Sequence, residues 1–368
     1  VDLISPINTE KSITLDRSED PLRTDTAHRI RRWYAGRPVE ICSTPERGRF
    51  LVAARDIEEG ETVLLSAPYA FSVTEPEKRR VCSRCLRICS APAAEYDLCC
   101  SDCGEVWYCT RECLQQDAPL HHFECSLLKA FLREADWAVT ENRTEVRLIL
   151  RLLARRALER VGGEQSRIPD PLVRDRSFND FLLLSAHRER LSEEAIQMFE
   201  EVAIYLQQMD RWLSGEETSL IVETFLRARI NGCSLWTTRA EIGQGVYLEA
   251  SLLNHSCQPS LCQYRPEGSA TLHFLAIEAI AKGEELSVCY FDAGDLNRRR
   301  EYLWDTYLFE CQCRRCREEE QGSAADYLAW RGRVGCPKAG CLGILLYGTP
   351  GAEIVRVCSE CGLSLDEI

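Results

Sequence analysis

Ser251-Leu252-Leu253-Asn254-His255-Ser256-Cys257-Gln258-Pro259 places an amide, an imidazole, a hydroxyl and a thiol in one short turn between strand-like runs. A second segment, Gly283-Glu284-Glu285-Leu286-Ser287-Val288-Cys289-Tyr290-Phe291-Asp292, follows it and brings in a tyrosine. Asn254 and His255 carry donors and acceptors together, Cys257 can supply a thiolate, and Tyr290 offers a hydroxyl on an apolar background. Neither segment decides anything alone, since a lone Asn-His-Ser is usually only a turn and a tyrosine at a strand end is usually core. Their neighbours decide.

Outward from this pair the chain changes character several times. Strands are expected at residues 40–42, 49–54 and 62–73, with Gly48 and Gly60 marking turns, and again at 233–238, 246–249, 261–264, 271–277 and 285–290. Between these groups residues 126–230 read as helical, because Ile196, Phe199, Ala203, Leu206 and Leu213 recur at helical intervals. The densest apolar stretch, residues 146–158, is broken by Arg147, Arg151, Arg155 and Arg156. It reads as a helix of a water-soluble protein, since a membrane span needs about 18 apolar residues in a row. A short helix is expected at 27–34. Ile57-Glu58-Glu59-Gly60-Glu61 and Ile280-Ala281-Lys282-Gly283-Glu284 share one pattern before a strand, which implies one kind of turn used twice, with glycine where φ is positive.

Cysteine is the outlier, with 21 in 368 residues. A chain long enough to bury a full core has little need of a disulfide scaffold, so metal binding in a reducing compartment is the expectation. The first cluster runs Cys82-x2-Cys85, Cys100-x2-Cys103, Cys109-x3-Cys113 and His121-x3-Cys125. Two-residue spacing lets both thiolates of a knuckle reach one Zn²⁺, and three-residue spacing sets ligands one helical turn apart. Eight ligands make two sites. Cys99 and His122 adjoin Cys100 and His121 as alternatives, and Cys100 is preferred because only it gives the C-x2-C spacing. The second cluster, Cys311-x-Cys313-x2-Cys316, needs a fourth ligand, for which Cys257 is the candidate. The third pairs Cys336-x4-Cys341 with Cys358-x2-Cys361 and looks like a zinc ribbon, a disulfide-linked tail being its alternative. Complete sets would hold about four zinc ions. Cys42, Cys89, Cys99, Cys233, Cys262 and Cys289 remain, and those in apolar strands are expected to be core.

Together these segments resemble a known family. Residues 251–259 and 283–292 look like the N-H-S-C-x-P and G-E-E-L-x-x-x-Y motifs of SET-domain lysine methyltransferases. Arg47-Gly48-Arg49, Val52-Ala53-Ala54 and residues 55–61 look like the opening of that domain, and the cysteine triplet looks like its post-SET zinc knot. The 82–125 spacing, with Trp107-Tyr108 before Cys109, resembles a MYND finger; a RING module would end in C-x2-C rather than H-x3-C. A SET domain interrupted by such a finger and then by helices is the arrangement of the SMYD family, which the chain resembles over roughly residues 39–317.

The resemblance implies an α+β fold: a β-rich SET domain split by a zinc-binding MYND finger and a helical insert, followed by a post-SET zinc knot and a zinc-ribbon-like tail. Its expected divisions are an N-terminal extension at 1–38, the first part of SET at 39–81, the finger at 82–125, the insert at 126–230, core SET at 231–297, post-SET at 298–320 and the ribbon-like module at 321–368. It further implies interleaved finger sites, with Cys82, Cys85, Cys109 and Cys113 on one ion and Cys100, Cys103, His121 and Cys125 on the other. The implied cofactor is S-adenosylmethionine, bound by Arg47, Gly48, Arg49, Asn231, Ser251, Asn254, His255, Tyr290, Tyr307 and Phe309. Tyr290 would be the catalytic residue, and Tyr307 and Phe309 would wall the lysine channel. Phe50 and Ser260 depart from the family's common glycine and asparagine.

The implied activity is methyl transfer to a lysine amine of a histone or other protein, with proline-rich peptide partners at the finger. The competing reading is a protein-binding adaptor with a silent SET domain. The formal charge of −13, from 45 basic and 58 acidic residues, favours a basic polypeptide such as a histone tail and opposes nonspecific binding to DNA or an anionic membrane. Residence in cytoplasm or nucleus is expected, Lys78-Arg79-Arg80 and Arg298-Arg299-Arg300 being too short to serve as import signals. The opening Val1-Asp2-Leu3-Ile4-Ser5 has neither an initiator Met nor a signal pattern, so a processed or artificial start is expected.

Overall fold

The computed structural model describes residues 25–89, 94–133, 143–162, 172–236, 241–266, 268–291, 295–334, 338, 345–348 and 355–358. Helix α1 (Asp25–Trp33) leads into β1 (Val39–Thr44), β2 (Gly48–Ala53), β3 (Thr62–Ser66) and β4 (Ala70–Val73). A cysteine-rich module follows with β5 (Leu98–Cys99), β6 (Trp107–Tyr108) and α2 (Arg111–Arg133). Helices α3 (Arg143–Val161), α4 (Phe178–Phe181), α5 (Glu193–Met209) and α6 (Thr218–Asn231) come next. Strands β7 (Gly232–Trp236), β8 (Glu241–Val246), β9 (Asn254–His255), β10 (Leu261–Tyr264), β11 (Leu272–Ala276) and β12 (Glu285–Val288) return before α7 (Leu296–Tyr307), α8 (Arg314–Glu320), α9 (Ala325–Val334) and the hairpin β13 (Leu345–Gly348) and β14 (Val355–Cys358). The architecture is mixed α+β.

Three sheets, ordered β1-β2-β12-β9, β10-β11-β3 and β4-β8-β7, each join strands from before the helices to strands from after them. The helical segment is therefore an excursion from a body that closes on itself. The two echoed turns show how it closes. Ile57 and Ile280 exchange both backbone hydrogen bonds at 2.9 Å, Gly60 N–H donates to Ala276 O, and Gly283 N–H donates to Ala53 O. Gly60 and Gly283 have φ of 80° and 86°, a region side chains disfavour.

The strand expectations need two corrections. Residues 62–73 form two strands rather than one, parted at Pro68, which has no N–H for a ladder. The strand expected at 246–249 lies instead at Glu241–Val246. Gly243 and Gly245 look like breakers in sequence, yet a Cβ on Gly243 would sit 2.3 Å from Ser72 O, so glycine is what allows β8 to press against β4. Helix α2 also runs past the expected finger boundary at 125 and carries Cys113, His121 and Cys125 on its way.

Helix α3 is buried nearly all round. Its arginines at four-residue spacing face inward: Arg147 pairs with Glu75 and Glu105, Arg151 with Asp117 and Glu124, and Arg155 lies over the Tyr69 ring. Arg156 meets Glu216. Past the strands, α9 packs Tyr327, Trp330 and Val334 against Cys262, Leu275 and Ile277. Among the described residues no helix is long and apolar enough to cross a membrane.

Candidate active site and metal clusters

Tyr290 follows β12, whose parallel pairing with β9 sets Ser287 opposite Asn254 and Val288 opposite His255. That register brings the two motif segments together. The Tyr290 backbone N–H donates to His255 Nδ1 at 2.9 Å, and its hydroxyl donates to Leu253 O at 2.6 Å. Around the phenol stand Tyr307 with ring centroids 4.9 Å away, His255 at 5.3 Å and Phe309 at 6.4 Å. Burial holds the phenols of Tyr290 and Tyr307 well above the usual tyrosine range, so both stay neutral. Burial likewise pushes His255 down to about 4, Arg299 and Arg315 adding to the effect against a pull from Cys313.

A second gathering forms around Glu285, the first residue of β12. Asn254 Nδ2 donates to Glu285 Oε1 at 3.2 Å, and Arg47 pairs with the other oxygen of Glu285. Arg47 also covers the Phe50 ring. Glu285 is thus the link between the Arg47-Gly48-Arg49 turn and Asn254. Glu285 stands inside the 283–292 motif, where the family resemblance assigns it no role. Its signal was available: an acidic residue at the start of a strand that must pair with β2. Gly48 has φ of 64° and open space where a Cβ would stand. Ser260 donates to Glu285 O at 3.2 Å and accepts from Ser287 N–H at 2.9 Å, clipping β12 in place.

Other expected residues are turned inward. Asn231 Nδ2 donates to Ser185 O and Arg227 O, both at 2.8 Å, and Arg49 donates to Leu183 O. They meet at one loop, which Arg227 also holds through Leu182 and Leu184 carbonyls. The Ser251 hydroxyl donates to Tyr247 O at 2.8 Å, within its own turn. The His255 ring is also engaged on both sides, since Nε2 lies 3.2 Å from Cys257 Sγ. Asn254, Glu285 and Arg47 are engaged with one another beside the Gly48 turn, while Asn231, Arg49 and Ser251 bond to backbone carbonyls around the site.

Three ligand sets come together among the described residues: Cys82, Cys85, Cys109 and Cys113; Cys100, Cys103, His121 and Cys125; and Cys257, Cys311, Cys313 and Cys316. Each set has its ligand atoms within 4.8 Å of one another. S···S separations of 3.5–3.9 Å match the edge of about 3.8 Å for a tetrahedron with Zn–S near 2.3 Å, and exceed a disulfide bond by far. The donor sets fit zinc, and all three could hold it. Cys99 lies in β5 and His122 packs on Phe123, outside the sets. Of the ribbon ligands, Cys336, Cys341 and Cys361 lie outside the described residues, and Cys358 is buried at the end of β14.

The sequence model of the SET domain family matches residues 48–291, from the glycine of the turn to the residue after Tyr290. The chain belongs to the SET domain family. Several proteins similar to it carry SMYD or SET and MYND names. The mouse histone-lysine N-methyltransferase SMYD3 is 30% identical over 303 residues, covering 80% of this chain and 65% of that protein. The Arabidopsis thaliana histone-lysine N-methyltransferase ASHR1 is 26% identical over 334 residues, covering 90% and 65%. A SET and MYND domain-containing protein of Dictyostelium discoideum is 26% identical over 333 residues, covering 81% and 63%. The chain spans just under two thirds of the length of these three relatives. Among solved structures, the SET domain of LSMT bound to lysine and AdoHcy gives a TM-score of 0.42 at 15% identity, over 78% of this chain and 57% of that one.

The matched SET region ends before Tyr307, Phe309 and the cysteine triplet. Those residues are held beside Tyr290 by α7, by the Cys257 cluster and by Arg190, which donates to Leu308 O at 2.6 Å, so the candidate site draws on a segment beyond the matched stretch. Leu303 of α7, at 0% exposure, packs with Cys257, Cys311 and Cys316 and holds that segment down.

Proposed function

We propose that the protein is an S-adenosylmethionine-dependent protein lysine methyltransferase, with a MYND finger at Cys82–Cys125, a post-SET zinc knot at the Cys257 cluster and Tyr290 as its catalytic residue. The observation that carries the reading is the convergence of the half-buried rings of Tyr290, Tyr307 and Phe309 around the buried His255. Relatives named as histone-lysine and N-lysine methyltransferases support the same activity.

The residues fit the cofactor's chemistry. An amino-acid end carrying both charges needs an acceptor and a donor side by side, which Glu285 and Arg47 supply beside Asn254 and the open Gly48 turn. When bound, S-adenosylmethionine supplies a methyl group on a sulfonium, already activated for displacement. The chain's part is positioning, which can account for about 7–11 kcal/mol of a barrier when the reacting atoms are held in line. Tyr290 is fixed at both ends, by its N–H on His255 and its hydroxyl on Leu253 O, so its ring is a rigid wall. The burial that keeps Tyr290 and Tyr307 neutral also disfavours a lysine ammonium, drawing its pKa below the usual value of about 10.4 and exposing the amine lone pair.

A net charge of −13 suits a basic substrate segment such as a histone tail, and proline-rich peptides are the proposed partners at the finger. With the ribbon ligands as a fourth site, zinc should approach about four per chain. The test is incubation with labelled S-adenosylmethionine and a whole-cell protein extract, followed by peptide mass spectrometry for methyl-lysine. Tyr290→Phe should retain cofactor binding by calorimetry while turnover falls about 100-fold, as loss of a positioned group does. Unchanged turnover at saturation would remove Tyr290 from the mechanism, and an absence of methyl-lysine products would leave the adaptor reading.

A further inference from the structure

His255 is 8% exposed, and each of its ring nitrogens faces a different part of the molecule. Nδ1 lies 2.9 Å from the Tyr290 backbone nitrogen, which always carries hydrogen, so Nδ1 must accept. A neutral imidazole with an accepting Nδ1 carries its proton on Nε2. That atom is 3.2 Å from Cys257 Sγ, a member of the four-cysteine set with Cys311, Cys313 and Cys316. A thiolate in such a set retains lone pairs and is a hydrogen-bond acceptor. The same set has a second buried donor, Arg299, whose Nη2 is 3.9 Å from Cys316 Sγ while it pairs with Glu319 at 2.6 Å. Two side-chain N–H donors thus face a cluster that would carry two net negative charges with zinc bound.

We propose that His255 is the positioning residue that couples this metal cluster to Tyr290, donating from Nε2 to the Cys257 thiolate while accepting the Tyr290 N–H at Nδ1. The ring fixes where Tyr290 leaves β12, and the cluster fixes the ring. Packing agrees, because His255 lies against both Tyr290 and Phe309, the latter two residues from Cys311. A zinc knot that closes the site from the far side therefore also sets the backbone of the tyrosine across from it. Only the turnover arm of the test rests on the methyltransferase reading.

Two substitutions separate the two bonds. His255→Asn keeps an acceptor near the Nδ1 position and cannot reach Cys257. His255→Gln can extend a donor toward Cys257 and offers no acceptor at Nδ1. With ¹¹³Cd in place of zinc, His255→Asn should shift the resonance of one four-sulfur site and speed metal release from that site about 10–100-fold, the range for loss of a metal's outer partner. His255→Gln should release metal at nearly the original rate while kcat falls and KM for the substrate stays. Equal cadmium spectra and release rates in the original protein and His255→Asn would overturn the coupling. So would equal losses of kcat and metal in both variants, which a merely structural histidine would give. If neither variant folds, ¹⁵N-histidine spectra of the original protein decide: an Nε2–H tautomer with its proton coupled to one ¹¹³Cd supports the proposal, and an Nδ1–H tautomer ends it. Should the spectra hold while no methyl transfer is found, the coupling stands and the activity falls.

Discussion

The finger and the Cys257 cluster use nearly the same ligands and are built in opposite ways. The finger's ligands all fall within residues 82–125, and its first set has three half-buried cysteines. Behind its second set lies a polar relay: His121 Nδ1 and Glu124 Oε1 are 3.1 Å apart, Glu124 meets Arg151 of α3, and Arg151 meets Asp117, which accepts from the Tyr108 hydroxyl at 2.9 Å. The Cys257 cluster joins residues far apart in sequence, is mostly buried, and is backed by His255, Arg299 and aromatic rings. One fastens a module to the body by charge, and the other, on the proposed function, would draw the active site shut. Similar ligand sets can therefore serve anchoring or assembly, depending on what stands behind them.

The contrast can be broken most sharply at Cys257. Cys257→Ser should lose about one zinc by elemental analysis and lower methyl transfer about 100-fold, the cost of a misplacement near 1 Å. Both finger sets should remain metallated. Full zinc retention with normal activity would dissolve the contrast, leaving Cys257 a plain core thiol.

On the finger side, Arg151→Met strands Asp117 and Glu124, buried to 1% and 2% exposure, and should cost about 3–5 kcal/mol in denaturant unfolding. Methyl transfer per folded molecule should change little, because the relay lies outside the proposed site. Loss of activity exceeding the loss of folded protein would show that the finger also sets the active site. A gentler version is stepwise chelation. The half-buried Cys82 set should give up its metal first and the Cys257 set last, with activity falling only at the last step. The reverse order would mean that burial does not protect the cluster.

The smallest expected effect is in pH. Burial raises the Tyr290 phenol above its usual 10, so the protonated form persists and contributes no falling limb. Single-turnover rates should climb from pH 7 to 10 as the substrate amine loses its proton. A fall near pH 9 in folded protein would make Tyr290 ionisable there and the pocket wetter than described.

Sequence spacing alone marked the ligand pairs, because C-x2-C and C-x3-C intervals are enforced by local backbone geometry, and it picked Cys100 over Cys99 on that ground; how the finger pairs interleave came from the family resemblance, and Cys257 stood as a candidate until the fold brought it to Cys311, Cys313 and Cys316. Sequence determined also that 251–259 and 283–292 belong together, through motif order, and that one turn with a positive-φ glycine occurs twice. Tertiary structure decided what no local pattern encodes. The arginines of α3 look like a solvated face until Glu75, Glu105, Asp117 and Glu124 arrive from other elements to neutralise them. Gly243 looks like a strand breaker until the β4 backbone leaves no room for a side chain. Glu285 and His255 acquire their roles only when β12 lies between β2 and β9, because a hydrogen bond has a direction and a length that only the folded register can satisfy.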